Sequence, residues 1–209
     1  MTCSLCASET KLFSEAQGRA YFECLQCKGI LLHPAHFLTP EEEKQRYQLH
    51  QNNVNDLSFQ KYALPIVNRI QKDYTQSHKG LDFGSGSGPV ISHLLKQKNY
   101  TITEYDPFFY NHVNALEKKY DYIVCCEVIE HFYTPYKEFD LLHSLLLPNG
   151  TLYCKTKVYD PRTDFDSWWY KNDPTHVFFY TMDTIQWIKK RFSFKSVEIA
   201  DNDLIVFKK

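Results

Sequence analysis

Three clusters in this 209-residue sequence bring together residue types that can do chemistry. The first is Cys3-x2-Cys6 with Cys24-x2-Cys27, two pairs separated by 17 residues. Each Cys-x-x-Cys turn presents two thiolates to one side, and two such turns complete a tetrahedral S4 site of the kind that holds zinc. Four protein ligands fill the coordination sphere, so Cys3, Cys6, Cys24 and Cys27 are expected to hold a structural ion. His33 and His36 follow closely but are not needed as ligands. The second cluster is Leu81-Asp82-Phe83-Gly84-Ser85-Gly86-Ser87-Gly88-Pro89-Val90, read as a buried strand, a glycine-rich turn and a helix start. Glycines at such a turn allow positive φ and let backbone N–H groups approach a ligand. A G-x-G-x-x-G dinucleotide fingerprint needs glycine at 89, where Pro89 stands, so that reading is excluded. The third cluster, Glu127-Val128-Ile129-Glu130-His131, follows the apolar run Tyr122–Cys126 and gathers carboxylates and an imidazole at a strand end.

These clusters need elements to position them. Lys11–Phe13 and Arg19–Glu23 read as a β-hairpin between the cysteine pairs, too small to fold without bound metal. Thr39-Pro40-Glu41-Glu42-Glu43 is a helix start, with Thr as N-cap, Pro at the first position and acids in the first turn; the helix should reach about Gln51. A second helix over 58–74 places Tyr62, Ile66, Val67 and Ile70 on one face, with Pro65 a kink point. From 79 onward strands (79–83, 101–105, 121–126, 150–157, 193–200, 203–208) alternate with helices (89–98, 135–146, 182–191). That alternation implies a mostly parallel sheet with helices on both faces, and the last two strands, joined at Asp201-Asn202, form an antiparallel hairpin. The organisation is therefore a zinc-ribbon-like module at 1–38, a helical linker or cap at 39–77, and a ligand-binding α/β domain at 78–209.

Composition excludes several partners. A formal net charge of −1 gives no general pull toward nucleic acid or anionic membrane. No apolar run approaches the roughly 20 residues that span a bilayer, and a cytoplasmic protein is the default expectation. Aromatic residues are abundant, with 15 Tyr and 15 Phe. The loop Asp164–Tyr170 contains Trp168 and Trp169, which could stack on a planar ring, a sugar face or a base, or pack as a buried cluster.

The D-x-G-x-G-x-G pattern from Asp82 to Gly88 resembles motif I of the class I S-adenosylmethionine (SAM)-dependent methyltransferases, of the type 11/12/23 kind, and E-V-x-E-H at 127–131 resembles their motif IV. The resemblance implies a Rossmann-like class I sheet ending in the antiparallel hairpin, with SAM as cofactor. It implies that Gly84, Ser85, Gly86 and Gly88 pass the methionine portion of SAM, with Asp82 orienting the loop or the ammonium group. It places Asp106, followed by Pro107, on the ribose hydroxyls, with Glu104 the fallback. Asn114 and Ala115 would lie at the adenine, and Cys126, Glu127 and Val128 along the cofactor. One departure stands out: only 14 residues separate Asp106 from Asp121, where the family places a helix, a strand and a further turn.

SAM carries an activated methyl, so the protein must mainly align the acceptor with the C–S bond. A hydroxyl acceptor also benefits from proton removal, and His131, whose ordinary pKa lies near working pH, is the leading base, with Glu130 and His176 as the other catalytic candidates. The segment Asp173–Thr181 resembles one found in small-RNA 3′-terminal 2′-O-methyltransferases, which bind a divalent metal through E-x-x-E-H and a later histidine. Carried over, the ligands of such a second metal site would be Glu127, Glu130, His131 and His176. The expected activity is methyl transfer to a small hydroxyl-bearing molecule. An RNA or other nucleic-acid methyltransferase and a non-catalytic SAM-binding module are the alternatives. The sequence names neither the acceptor nor the oligomeric state.

Overall fold

The computed structural model describes residues 1–49 and 52–209. Its larger sheet has six strands: β4 (Lys79–Phe83), β5 (Thr101–Tyr105), β6 (Tyr120–Cys126), β7 (Leu146–Lys155), β9 (Ser196–Ala200) and β10 (Leu204–Lys208). Their order is β5-β4-β6-β7-β10-β9. The first four run parallel, and β10 pairs antiparallel with both β7 and β9. Asp201 and Asn202 turn the hairpin at φ 50° and 68°, a conformation that Asp and Asn tolerate better than most residues. The last strand pair begins at Ser196 rather than 193 because Ser193 sits at φ 58° and breaks extended geometry.

Helices cover both faces. On one, α2 (Leu57–Asp73) and α3 (Val90–Lys96) bury Ala63, Ile66, Val67, Ile70 and Leu95 against Ile102, Tyr122, Val124 and Val206. On the other, α4 (Pro135–Leu145) and α5 (Met182–Arg191) pack Phe139, Leu142, Ile185 and Ile188 on Ile123, Cys125, Leu152 and Phe207. Each Val, Ile, Leu or Phe among them contributes roughly 1.5–3 kcal/mol by leaving water. Asp56 caps α2 by accepting from Ser58 and Phe59 N–H, and the helix runs unbroken through Pro65. Tyr62 is not on its core face; Ala63 is, and Tyr62 turns toward the sheet's carboxyl end.

Between β5 and β6 the chain forms only a short 3-10 turn, Val113–Glu117, so β5 is the edge of the sheet. The expected helix from Pro40 is α1 (Pro40–Gln48), closed at its start by a reciprocal Thr39–Glu42 capping box. Its expected end near Gln51 lies outside the described residues.

The cysteine-framed segment builds a second sheet from β1 (Thr10–Ala16), β2 (Arg19–Cys24) and β3 (Ile30–Leu32). A fourth strand, β8 (Phe178–Phe179), comes from the distant segment that carries His176, giving the order β1-β2-β3-β8. No described helix is long and apolar enough to cross a membrane.

Candidate active site

A cavity of about 1000 Å³ opens at the carboxyl ends of β4, β5 and β6, where an open α/β sheet binds ligands. One wall is the glycine loop. Gly84 and Gly86 adopt φ 74° and 64°, and a Cβ on Gly84 would lie 2.6 Å from the Val128 side chain. A Cβ on Gly88 would lie 1.8 Å from the Asn52 carbonyl, so glycine there lets the chain after α1 roof the loop. The N–H groups of Gly84 and Ser85 donate to the Tyr105 carbonyl (2.8 and 3.2 Å), and that of Gly86 donates to Asp106 Oδ2 (2.9 Å). The loop is thus tied to the end of β5 by its first three amides. Ser85 Oγ is buried on this wall without a protein partner.

Asp82 sits beneath the loop, accepting from Ser92 Oγ at 2.9 Å, and burial pushes its carboxyl up to about 6. Asp106 accepts three backbone amides, from Gly86, Phe108 and Phe109. Glu104 pairs with Lys96 instead and is absent from the cavity wall. Pro107, Phe108 and Phe109 extend the wall past Asp106.

Asn114 and Ala115 do not reach it. Ala115 is fully buried in the core, its carbonyl accepting from Tyr120 Oη at 2.8 Å, and Asn114 is exposed. The short turn that carries them packs beside β5, and the residues that line the cavity after Asp106 are Pro107, Phe108 and Phe109. An apolar pair after Asp-Pro carries no site signal of its own in the sequence.

The facing wall assembles from four segments: α1 (Glu43, Arg46, Tyr47), α2 (Phe59, Tyr62), residues 126–134 and residues 169–176. Cys126, Glu127 and Val128 lie where the chain leaves β6. Glu127 adopts φ 52°, unusual for a residue with a side chain, and its N–H donates to the Lys155 carbonyl. Its Oε1 accepts from Tyr62 Oη at 2.6 Å. Glu130 is fully buried and accepts from Tyr170 Oη at 2.6 Å, while its Oε2 has no partner. Tyr170 Oη also lies 3.1 Å from Glu127 Oε2 and 3.0 Å from Thr156 Oγ1. A phenol has one proton, so it cannot donate to both carboxylates; with Glu127 protonated, that contact runs from Glu127 to the phenol oxygen. Burial first, with Glu130 next to Glu127, pushes Glu127 up to about 7, and burial raises Glu130 likewise to about 7.

The two histidines converge on Glu130. His131 Nδ1 lies 3.0 Å from the Thr175 carbonyl and His176 Nδ1 lies 2.7 Å from the Tyr170 carbonyl. A carbonyl can only accept, so both neutral rings carry their proton on Nδ1 and present an Nε2 lone pair. These Nε2 atoms stand 3.8 and 4.0 Å from Glu130 Oε1. Burial lowers the pKa of His131 and pushes His176 down to about 3. Glu130, His131 and His176 each offer a ligand atom within 4.8 Å of the others. Glu127 stands outside that group, held by Tyr62 and Tyr170, so the four-residue set expected from the sequence reduces to three with Glu127 beside it.

Two ion-pair and aromatic contacts fasten α1 over these residues. Arg46 Nη2 donates to Asp173 Oδ2 at 2.7 Å, and the Tyr47 ring meets His131 edge-on with centroids 5.5 Å apart. Asp173 in turn accepts from Thr175, whose carbonyl orients His131. Trp169 lines the cavity mouth and is 63% exposed, whereas Trp168 packs on Tyr159, Phe165 and Phe179. Tyr62, Tyr170, Arg46 and Asn52 carry no site signal in the sequence; nothing in their local spacing reports partners about 35 to 130 residues away.

The four thiols of Cys3, Cys6, Cys24 and Cys27 lie within 4.8 Å of one another, with Cys3 Sγ 3.7 Å from Cys27 Sγ and Cys6 Sγ 3.2 Å from Cys24 Sγ. Cys3, Cys24 and Cys27 are buried in the same apolar cluster as α4 and α5.

The family model of the methyltransferase domain (Methyltransf_23) matches residues 50–199. A tRNA U34 carboxymethyltransferase from Campylobacter curvus (strain 525.92) is 32% identical over 145 residues, 66% of this chain and 46% of that protein, so the chain spans about half the length of the curated relative it matches. Among solved structures, 1,6-didemethyltoxoflavin-N1-methyltransferase from Burkholderia thailandensis, with bound 1,6-didemethyltoxoflavin and S-adenosylhomocysteine, superposes with a TM-score of 0.55 at 13% identity, over 97% of this chain and 99% of that one. A SAM-dependent methyltransferase from Archaeoglobus fulgidus gives 0.53 at 16% identity, over 70% and 94%. At these identities the likeness is one of fold.

Proposed function

Because the chain belongs to the methyltransferase-domain family and is a SAM-dependent methyltransferase, we propose that it methylates an oxygen of a small hydroxyl-bearing molecule. The observation that carries this reading is that His131 and His176 both line the cavity and turn their Nε2 lone pairs toward one carboxylate, Glu130, buried just behind them. Bound SAM supplies an electrophilic methyl. Asp82, Gly84, Ser85, Gly86 and Gly88 would hold its amino-acid portion, with the orphan Ser85 hydroxyl available to it. Asp106 keeps a lone pair on Oδ2 for a ribose hydroxyl after its three amide contacts. Pro107, Phe108 and Phe109 offer a surface for the base, and Cys126, Glu127 and Val128 the floor.

His131 is the base for the acceptor hydroxyl: its tautomer is set by Thr175, its ring is fixed by Tyr47, and its Nε2 faces the cavity. Glu130 and His176 position it and stabilise the charge it gains. Around them the cavity is lined by Glu43, Glu127, Glu138 and Asp173, and its one arginine, Arg46, is already paired with Asp173. Among the described residues such a wall offers no free cation to a polyphosphate. This supports a small uncharged acceptor over nucleic acid, although the similar tRNA-modifying protein keeps nucleic acid as the competing reading.

A second reading rests on the buried, unpartnered Glu130 Oε2. A divalent cation held by Glu130, His131 and His176 would satisfy it and acidify an acceptor hydroxyl directly. Both imidazoles are held at Nδ1 by backbone carbonyls, as metal-binding histidines commonly are. The Cys3-Cys6-Cys24-Cys27 cluster supports a separate structural zinc.

A labelled-methyl screen over phenols, sugars and short RNA tests these readings. Transfer to a small hydroxyl compound, lost in His131→Ala but insensitive to chelator, supports the first. Transfer abolished by chelator and restored by added Mn2+ favours the second. Full turnover in both His131→Ala and His176→Ala overturns the site.

A further inference from the structure

We propose that the N-terminal cysteine module forms the back of the acceptor wall, so that metal occupancy at Cys3, Cys6, Cys24 and Cys27 governs the position of His176 and Glu130. This rests on the reading of the four cysteines as a zinc site. The connection is covalently short and hydrogen-bonded throughout. Three residues beyond Cys27, strand β3 pairs with β8 in the register Ile30↔Phe179 and Leu31↔Phe178. The Leu32 N–H donates to the Val177 carbonyl, and the Val177 N–H donates to the Glu130 carbonyl, each at 2.9 Å. His176 is the residue immediately before Val177. The knuckle itself touches the same segment: Thr181 Oγ1 donates to the Lys28 carbonyl at 3.3 Å, and a Cβ on Gly29 would lie 2.4 Å from the Phe178 ring. Tyr180, packed with the buried cysteines, donates from Oη to the Ile129 carbonyl at 2.8 Å.

Contacts such as Arg46–Asp173 and Tyr180–Ile129 also touch the segment, but its strand pairing comes from β3. Among the described strands, β8 pairs with β3 alone, and at two residues it is too short to hold its place without that partner. An empty knuckle leaves four clustered, mostly buried thiols with no ion to draw them together, and a module this small depends on its metal. Loosening β3 therefore releases 176–179 and, through Val177, the Glu130 backbone. The glycine loop shares no strand with the module and stays in place.

Hydrogen exchange on the purified full chain tests this without an acceptor. Zinc content is measured first, then the ion is removed with a thiol-reactive mercurial and a chelator. The expected result is exchange at least about tenfold faster in 173–181 and 129–131, with 82–91 changed by less than about twofold and S-adenosylhomocysteine still bound. Faster exchange confined to 1–32, or equal acceleration at 82–91, overturns the proposal. Gly29→Ala supplies an arm that keeps all four thiols: it should retain zinc yet loosen 173–181, and unchanged protection there overturns the coupling. Protein that binds no zinc at all defeats the metal reading instead, and Gly29→Ala then decides by itself whether the knuckle holds the His176 segment.

Discussion

The two sides of the cavity are built in opposite ways. The glycine-loop side, proposed for the cofactor, comes from one continuous stretch, β4 through α3, braced by the neighbouring end of β5. Its geometry follows from local steric rules: positive φ at Gly84 and Gly86 and close approach at Gly88. The facing side, proposed for the acceptor, is gathered from residues 43–47, 62, 127–131 and 169–176, and its order depends on contacts such as Tyr170–Glu130 and Arg46–Asp173 that join distant segments. A ligand common to a family can be held by a local motif. The part that differs among relatives is better served by long-range contacts, which change without disturbing the turn.

If that division holds, variants on one side should leave the other's readout alone. The largest effect is expected from Glu130→Gln, which should reduce methyl transfer by about 100-fold or more while S-adenosylhomocysteine affinity by calorimetry stays within about twofold. Parallel loss of both would merge the two sides into one unit. Gly84→Val should do the reverse. A side chain at φ 74° against Val128 should weaken S-adenosylhomocysteine by roughly 100-fold, with residues 173–181 as protected from exchange as before.

Glu130→Gln should also stabilise the metal-free protein in a pH-dependent way. The folded state holds the Glu130 proton up to about 7, against an ordinary value of 4.5, so folding costs progressively more as pH rises through that window. The variant's gain should therefore be small at pH 5 and reach on the order of 2–3 kcal/mol at pH 8, read by denaturant titration. Added Mn2+ should reverse the sign if the three residues bind a cation, because the wild type would then gain the ligand's binding energy. A pH-independent gain would remove Glu130's burial as the cause.

Asp106→Asn should weaken S-adenosylhomocysteine about tenfold, since a charged acceptor for Gly86, Phe108 and Phe109 is replaced by a neutral one. Unchanged affinity would relieve Asp106 of any ligand role. Smallest is Tyr62→Phe, which removes only the hydrogen bond to Glu127 and should cost about 1 kcal/mol or less in stability.

What was legible in the sequence follows the same division. The strands at 79–83 and 101–105, the glycine turn and α5 rest on local pattern and stand where the pattern put them, and so does the terminal hairpin apart from a first strand that starts three residues late. Glu130, His131 and His176 were found through spacing and resemblance, and they do meet. Asn114 and Ala115 do not line the cavity, because their position was inferred by spacing across a connection that lacks the usual helix and strand. Strand β8 was invisible: two phenylalanines in an aromatic-rich stretch have no periodicity to read, and their partner lies about 150 residues away. Tyr170 looked like one more aromatic in a loop, and only the folded chain shows its hydroxyl between two carboxylates.

The pairing of Ile30 with Phe179 also fixes a sequence of events in time. During synthesis the cysteine segment leaves the ribosome long before the strand that completes its sheet, and closing so long a loop is slow. Until residue 179 emerges, β3 is an unpaired apolar edge, Ile30-Leu31-Leu32, open to wrong partners. Early capture of zinc would close the knuckle while it waits. Growth in zinc-depleted medium should then lower the yield of folded protein more than chelation of the finished protein does.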